Sequence, residues 1–185
     1  ELERAEKMMT TVIGEATGDF DGIGGPRRET AMHDLIFESI AAALCERGVT
    51  VDVVVHGLLE QRVVLRKGPV RNRNVWEFMP YENSVGVLTL SGRELREVLE
   101  ENAAALEKRD FRGVWGVHCR FDPVAPVGQR VVSVTWPDGR PVSETDRLAV
   151  AFNSYELASG GLRWNKVREL ADNPETKLIE YDFQT

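Results

Sequence analysis

Apolar residues recur at the spacing of an α-helix in two stretches of the chain. From Thr30 to Arg47 they fall every three or four positions, and Gly48 follows at the position where a helix ends. A second periodic stretch begins after Ser91, which forms a capping box with Glu94 three positions later. The pattern therefore predicts two amphipathic helices.

Other stretches have the short apolar runs that are typical of β-strands. VTVDVVVHG is nearly continuous in β-branched residues and predicts a buried strand, while SVGVLTLSG, QRVVSVTW and RLAVAFNS predict three more. VWGVHCRFD alternates and predicts one further strand. Because strands and helices are interspersed along one chain, we expect layers of sheet covered by helices.

Length and composition favour one compact domain. The chain has 185 residues, 42% of them hydrophobic, which is enough to bury one sizeable core. We interpret the first nine residues, ELERAEKMM, as the end of an interdomain linker helix and residues 10–185 as the domain. No stretch approaches the roughly 18 apolar residues of a membrane span. We expect no membrane contact by this domain.

The charge and the scarce cysteines and histidines exclude several function classes. A net charge of -7 argues against nucleic acid as a partner, because a negative surface repels the phosphate backbone. Cys45 and Cys119 match no metal or redox spacing, and we interpret both as small buried hydrophobic residues. The three histidines, His33, His56 and His118, are isolated in sequence, so we predict no metal site in this chain.

Four stretches carry motifs in a fixed order along the chain. They are RETAMHDL from Arg28, VWEFMPYENSVGVLTLSGRELREVLE from Val75, DFRGVWGV from Asp110, and Asn153-Ser154-Tyr155 followed by ASGG from Ala158. They resemble motifs of the 5'-nucleotidase C-terminal domain family, which includes UDP-sugar hydrolases and 2',3'-cyclic-nucleotide phosphodiesterases. The third is similar to Gly-Phe-Leu-Gln-Val-Ser-Gly in that family, and the fourth to Asn-Asp-Tyr-Leu-Ala-Ser-Gly-Gly-Asp-Gly-Phe.

The resemblance implies a fold and a role. The fold is α+β, a four-layer α/β/β/α sandwich with mixed sheets. The role is substrate recognition in a dinuclear metallophosphoesterase that hydrolyses nucleotide phosphate esters. The partner is an N-terminal catalytic domain of the same polypeptide, which carries two divalent metal ions and is absent from this chain. The isolated chain is therefore expected to be inactive, with no catalytic residue of its own, and the family favours a periplasmic, secreted or cell-surface location.

The resemblance also implies where the substrate binds. It marks six positions as substrate-binding: Arg28, His56, Arg62, Phe111, Asn153 and Tyr155. Phe111 and Tyr155 match two rings that clamp a base, a task for which aromatic faces are suited. Arg28 and Arg62 match two phosphate-contacting arginines, whose planar guanidinium groups donate paired hydrogen bonds.

The chain departs from the family at the sugar and phosphate positions. The family sequence Asn-Gly-Gly-Gly-Ile-Arg is here HGLLEQR from His56, and the aspartate after the paired glycines is Leu162. Leucine cannot supply the close backbone approach that glycine permits. A pocket lined by Leu58, Leu59 and Leu162 would suit a less polar group. Two alternatives therefore stand beside nucleotide recognition: a degenerate binding or structural module, or a relative acting on a non-nucleotide ester.

Overall fold

A mixed five-stranded sheet lies at the centre of the chain. The computed structural model describes residues 2–23, 29–58, 60, 62–106, 108 and 110–184. The helices are α1 (Leu2–Thr10), α2 (Ala31–Cys45), α3 (Asn72–Phe78), α4 (Gly92–Ala103), α5 (Ser154–Leu157) and α6 (Asn165–Asp172), with a 3-10 turn at Pro174–Thr176. The strands are β1 (Val12–Ala16), β2 (Phe20–Asp21), β3 (Val53–His56), β4 (Val64–Leu65), β5 (Gly68–Arg71), β6 (Ser84–Ser91), β7 (Gly113–Trp115), β8 (His118–Phe121), β9 (Val131–Thr135), β10 (Arg147–Asn153) and β11 (Ile179–Gln184).

The strand pairing makes the central sheet mixed. Its order is β11-β6-β10-β3-β7, in which β3 and β10 are parallel and the other neighbours are antiparallel. The other strands in the described part of the chain pair two by two, β1 with β5, β2 with β4 and β8 with β9, all antiparallel. The predicted α+β fold with mixed sheets and flanking helices is confirmed.

Alternating side chains of the central sheet supply two separate cores. Along β3, Val53 and Val55 belong to one core and Val54 to the other, and along β10 Val150 and Ala151 divide in the same way. Apolar residues of α4, α6 and β9 complete the first core, and those of α2 complete the second. The sheet is therefore buried on both faces.

The two predicted amphipathic helices are confirmed together with their ends. α2 begins after Thr30, and Gly48 follows it with a φ of +77°, a conformation that glycine adopts without strain. At the start of α4 the Glu94 backbone N–H donates to Ser91 Oγ at 3.2 Å. In return, the Ser91 backbone N–H donates to Glu94 Oε2 at 2.6 Å. The predicted capping box is present.

The prediction of one strand over VWGVHCRFD is wrong. The segment divides into β7, which pairs with β3, and β8, which pairs with β9. Gly116 lies between them with a φ of +92°, and a Cβ at this position would overlap the carbonyl oxygen of Asp52. The close approach of the Asp52 backbone requires a glycine at this turn, and the turn redirects the chain into a second ribbon.

The two cysteines differ in their surroundings. Cys119 packs against the first core, and burial raises the pKa of its thiol to about 12. Cys45 is exposed, so its predicted burial is wrong. The buried stripe of α2 includes Ile40 and Leu44, and Cys45 lies one position further round the last turn.

α1 buries none of its residues and is joined to α3 by polar contacts. The Asn72 side-chain amide donates to the Met8 carbonyl at 2.8 Å, and the Asn72 backbone N–H donates to the Thr11 carbonyl at 3.2 Å. Its role as an interdomain linker stays a prediction. Among the described helices, none combines the length and the apolar character needed to cross a membrane.

Candidate functional site

A cavity of about 780 Å³ opens beside the ends of β3 and β10. These two strands are parallel and adjacent, so His56 and Asn153, which end them, lie side by side. The cavity is lined by Gly57, Leu58, Glu60, Pro80, Tyr81, Glu82, Asn83, Asp110, Arg112, Asn153, Tyr155, Glu156 and Arg163. In open sheets, the carboxyl ends of parallel strands are common places for ligand sites.

His56 and Asn153 form a hydrogen-bonded pair beneath the cavity. The amide Oδ1 of Asn153 accepts the Glu156 backbone N–H at 2.9 Å, so its Nδ2 faces His56 and donates to Nε2 at 3.2 Å. The His56 Nδ1–H then donates to the Gly57 carbonyl at 2.6 Å. Burial lowers the pKa of His56 to about 4, and the positive charge of Arg112 acts in the same direction. His56 is thus neutral and fixed in one tautomer.

A buried ion pair forms the floor of the cavity. Arg112 Nε donates to Glu156 Oε1 at 2.6 Å, and the two side chains are only 6% and 1% exposed. Burial raises the pKa of Glu156, while the charge of Arg112 opposes that rise. An ionised carboxylate at this depth depends on its arginine partner.

The Arg112 backbone and its side-chain path are also fixed. Asn102 on α4 accepts the Arg112 backbone N–H at 2.8 Å and donates to its carbonyl at 2.9 Å. The aliphatic part of the side chain crosses Gly57 so closely that a Cβ there would lie 2.5 Å from Arg112 Cδ. Any larger residue at position 57 would force the Arg112 side chain to shift.

A second arginine lies at the rim of the cavity. Arg163 Nη1 donates to Asp110 Oδ1 at 3.0 Å, and its Nε donates to the Gly160 carbonyl at 2.8 Å. Its Nη2 donates to the Tyr155 hydroxyl, and its guanidinium lies 5.9 Å from the centre of the Tyr155 ring. Arg163 therefore fixes the orientation of the Tyr155 ring at the mouth of the cavity.

Phe111 does not share this cavity with Tyr155. Phe111 lines a separate cavity of about 260 Å³, where its ring packs edge-on against Phe121 at 5.8 Å. Asp110 and Arg112, its two neighbours in the chain, line the larger cavity instead. The predicted aromatic clamp is therefore not assembled in this structure.

The structure brings together some of the predicted binding residues and separates others. Asn153 and Tyr155 line the larger cavity, whereas His56 is buried and is hydrogen-bonded to Asn153 beneath it. Arg62 is exposed and does not line it, and its backbone N–H donates to Glu60 Oε1 at 3.1 Å. Arg28 lies outside the described residues.

The predicted apolar pocket is not formed as expected. Leu58 lines the cavity and packs into the second core, but Leu162 is 77% exposed with a φ of +68°. Leu59 lies outside the described residues. Leu162 follows two glycines with positive φ, and this turn directs its side chain to solvent.

Sequence reasoning missed Arg112, Glu156 and Arg163. Arg112 stands where the family motif has leucine, and Glu156 is an extra residue between the tyrosine and the leucine of the last motif. The signal in the sequence is that these two departures carry opposite charges and that one of them stands at an apolar position of the motif. In the described residues, no group of three or more His, Cys, Asp or Glu side chains is placed to hold a metal ion.

The family expected from the sequence motifs is also found when the chain is compared with known proteins. Residues 12–169 match the family model of the 5'-nucleotidase, C-terminal domain. The chain is 22% identical over 172 residues to the endonuclease YhcR of Bacillus subtilis, and 25% identical over 198 residues to the trifunctional nucleotide phosphoesterase protein YfkN of the same organism. These alignments cover 93% and 100% of this chain but only 13% of each relative.

A solved structure supports the same comparison. The crystal structure of a 5'-nucleotidase precursor from Thermus thermophilus superposes with a TM-score of 0.82 at 26% identity. The match covers 98% of this chain and 36% of that one. The chain thus spans a minor part of the length of the proteins that it resembles.

Proposed function

Because the chain belongs to the 5'-nucleotidase C-terminal domain family, we propose that it recognises the substrate of a dinuclear metallophosphoesterase. The substrate is a nucleotide or a related phosphate ester. Hydrolysis takes place on an N-terminal catalytic domain of the same polypeptide, where two divalent metal ions would supply the nucleophile. The larger size of the relatives is consistent with such a fusion.

The observation that carries this proposal is the convergence of family-like residues on one cavity. Asn153 and Tyr155 belong to the fourth motif, and His56 stands in place of the family's asparagine. Asn153 and Tyr155 line the cavity beside the ends of β3 and β10, and His56 is hydrogen-bonded to Asn153 beneath it. Tyr155 offers a ring face to a planar group, and the buried hydrogen bonds below it hold the strand ends in place.

The contribution of this domain to turnover is positioning. Holding a substrate in the correct geometry against a metal-bound nucleophile lowers the activation free energy by several kcal/mol. The floor and the rim are built for this task, because Arg112 and Tyr155 are each fixed by at least one hydrogen bond. Removal of this domain would therefore lower the rate although it contributes no catalytic group.

Calorimetric titration of the 185-residue chain with nucleosides and nucleotides tests the proposal. Replacement of Tyr155 by alanine should weaken binding by about 1 to 3 kcal/mol, the contribution of one stacked ring. Trp76→Ala is the matched control, because Trp76 is a similarly exposed aromatic residue outside the cavity. Substrate recognition at this cavity would be contradicted if no nucleoside or nucleotide bound, or if Tyr155→Ala and Trp76→Ala lowered the affinity equally.

A further inference from the structure

Three consecutive hydrogen bonds connect the end of β3 to the first turn of α5 beneath the cavity. The Glu156 backbone N–H donates to Asn153 Oδ1 at 2.9 Å, and Asn153 Nδ2 donates to His56 Nε2 at 3.2 Å. The His56 Nδ1–H donates to the Gly57 carbonyl at 2.6 Å. We call these three bonds the strand-end network. His56, Asn153 and Glu156 are each at most 4% exposed, so little water can reach the network to replace its members.

The two ends of the strand-end network allow only one arrangement of the groups between them. A backbone N–H can only donate, and a backbone carbonyl can only accept. If the Asn153 amide turned over, its Nδ2 would face the Glu156 N–H. If His56 carried its proton on Nε2, that proton would face Asn153 Nδ2. Either change would place two buried donors against each other, which costs free energy. The imidazole and the amide are therefore fixed relative to each other.

The first turn of α5 depends on this network. Asn153 is the N-cap of α5, and Tyr155 is the second residue of the helix. The cap satisfies one of the N–H groups that a helix leaves without a partner at its start. The other end of α5 is held separately, because Leu157 packs against Gly86 and is only 5% exposed. Loss of the His56 contact should therefore loosen the turn that carries Tyr155 and leave the end of α5 in place.

His56 is placed to affect a ligand only through this network. It is 1% exposed and does not line the cavity, whereas Asn153 and Tyr155 do. The Tyr155 ring is accessible to a ligand, because this residue is 39% exposed. Arg163 holds the Tyr155 hydroxyl at the rim, and the strand-end network holds the backbone at the other end of the same residue.

We propose that His56 is a positioning residue of this cavity: by fixing the Asn153 amide, it keeps Tyr155 in the orientation that receives the ligand. The inference rests on the proposed function and gives position 56 a role other than contact with the substrate. His56 serves Asn153 by accepting one hydrogen bond, so another acceptor of similar reach can replace it. Glutamine offers such an acceptor in Oε1, whereas leucine has a similar volume and no acceptor.

The test compares His56→Leu with His56→Gln in the 185-residue chain by calorimetric titration with guanosine. Guanosine is the probe because it offers a planar ring to Tyr155 and carries no charged phosphate. His56→Leu should weaken guanosine binding by about fivefold or more, because Asn153 Nδ2 loses its acceptor. His56→Gln should keep the affinity within about twofold of that of the unmodified chain.

A control and a second measurement keep the test decisive. Ile40→Val lowers stability without touching the cavity, because Ile40 is buried in the second core and does not line the cavity. Its guanosine affinity should be unchanged. If His56→Leu does not fold, ¹⁵N NMR of the unmodified chain at neutral pH tests the network directly. The His56 ring should carry its proton on Nδ1, and a proton on Nε2 would overturn the inference.

The outcomes separate this inference from the function on which it rests. If His56→Leu binds guanosine as tightly as the unmodified chain, His56 has no positioning role and nucleotide recognition stands. The inference is also overturned if His56→Gln loses as much affinity as His56→Leu, or if Ile40→Val does. If no nucleoside or nucleotide binds to the unmodified chain, the proposed function fails and the inference fails with it.

Discussion

The floor and the rim of the cavity each contain an arginine paired with a carboxylate, but the two pairs differ in burial. At the floor, Arg112 and Glu156 are 6% and 1% exposed. At the rim, Arg163 and Asp110 are 46% and 36% exposed. The nitrogen–oxygen distances are 2.6 Å and 3.0 Å, so the contacts themselves are similar.

The difference shows that surroundings, and not contact geometry, determine what an ion pair contributes. Water solvates the two charges of the rim pair and screens their attraction. Formation of this pair therefore changes the free energy of unfolding very little. Water reaches little of the floor pair, and either member left alone would be a charge without solvation. The rim pair therefore contributes little to stability, whereas the floor pair is needed for the fold.

Breaking the floor pair should have the largest effect. Arg112→Met or Glu156→Leu alone should lower the free energy of unfolding by about 3 to 5 kcal/mol, because each leaves a buried charge without its partner. The double variant should recover most of this loss, since it buries no charge. Urea unfolding of the three variants measures both quantities. Additive losses in the double variant would show that the two side chains act independently.

Acid should weaken the floor through His56. Its pKa of about 4 in the folded chain lies below its ordinary value of 6.5, so between these pH values the unfolded chain binds a proton that the folded chain does not. Stability should therefore fall as the pH drops from about 6.5 to about 4, by about 2 to 4 kcal/mol from this group.

The His56 contribution is isolated by comparing variants. His56→Gln should remove this part of the pH dependence, as followed by urea unfolding at several pH values. His118→Gln is the control, because His118 is exposed on β8 and lies outside the cavity. A pH dependence in His56→Gln equal to that of the unmodified chain would mean that the imidazole does not titrate as described.

Phe111 lies in the chain between Asp110 at the rim and Arg112 at the floor. Its ring is half-buried against Phe121, so Phe111→Ala should cost about 1 to 2 kcal/mol of stability, less than the roughly 3 to 5 kcal/mol of a core phenylalanine. Because the ring lines a separate cavity, guanosine affinity should be unchanged. If Phe111→Ala lowered the guanosine affinity as much as Tyr155→Ala, that result would support the aromatic clamp predicted from the sequence.

The smallest effect is expected at the rim. Asp110→Asn removes the charge that faces Arg163 and should change the free energy of unfolding by less than about 0.5 kcal/mol. The change in the free energy of unfolding that Asp110→Asn causes should be nearly the same at low and at high salt. A cost comparable to that of Glu156→Leu would remove the contrast between the two pairs.

Local patterns in the sequence determined much of the fold. The periodicity and end signals of α2 and α4, including the capping box of Ser91 and Glu94, depend on residues within a few turns of one another. The strand that becomes β10 has the same local character. The motif order was sufficient to identify the family. Of the six positions that the resemblance marked, His56, Asn153 and Tyr155 lie near one another in the structure.

Only the tertiary structure decided which side chains meet. Arg112 and Glu156 are 44 residues apart, and nothing in either segment alone shows that they pair in the core. The split at Gly116 depends on the backbone of Asp52. Phe111 and Tyr155 line two different cavities, which neither segment shows by itself. Helical periodicity and capping act over short stretches of chain, whereas burial and pairing depend on how distant stretches pack together.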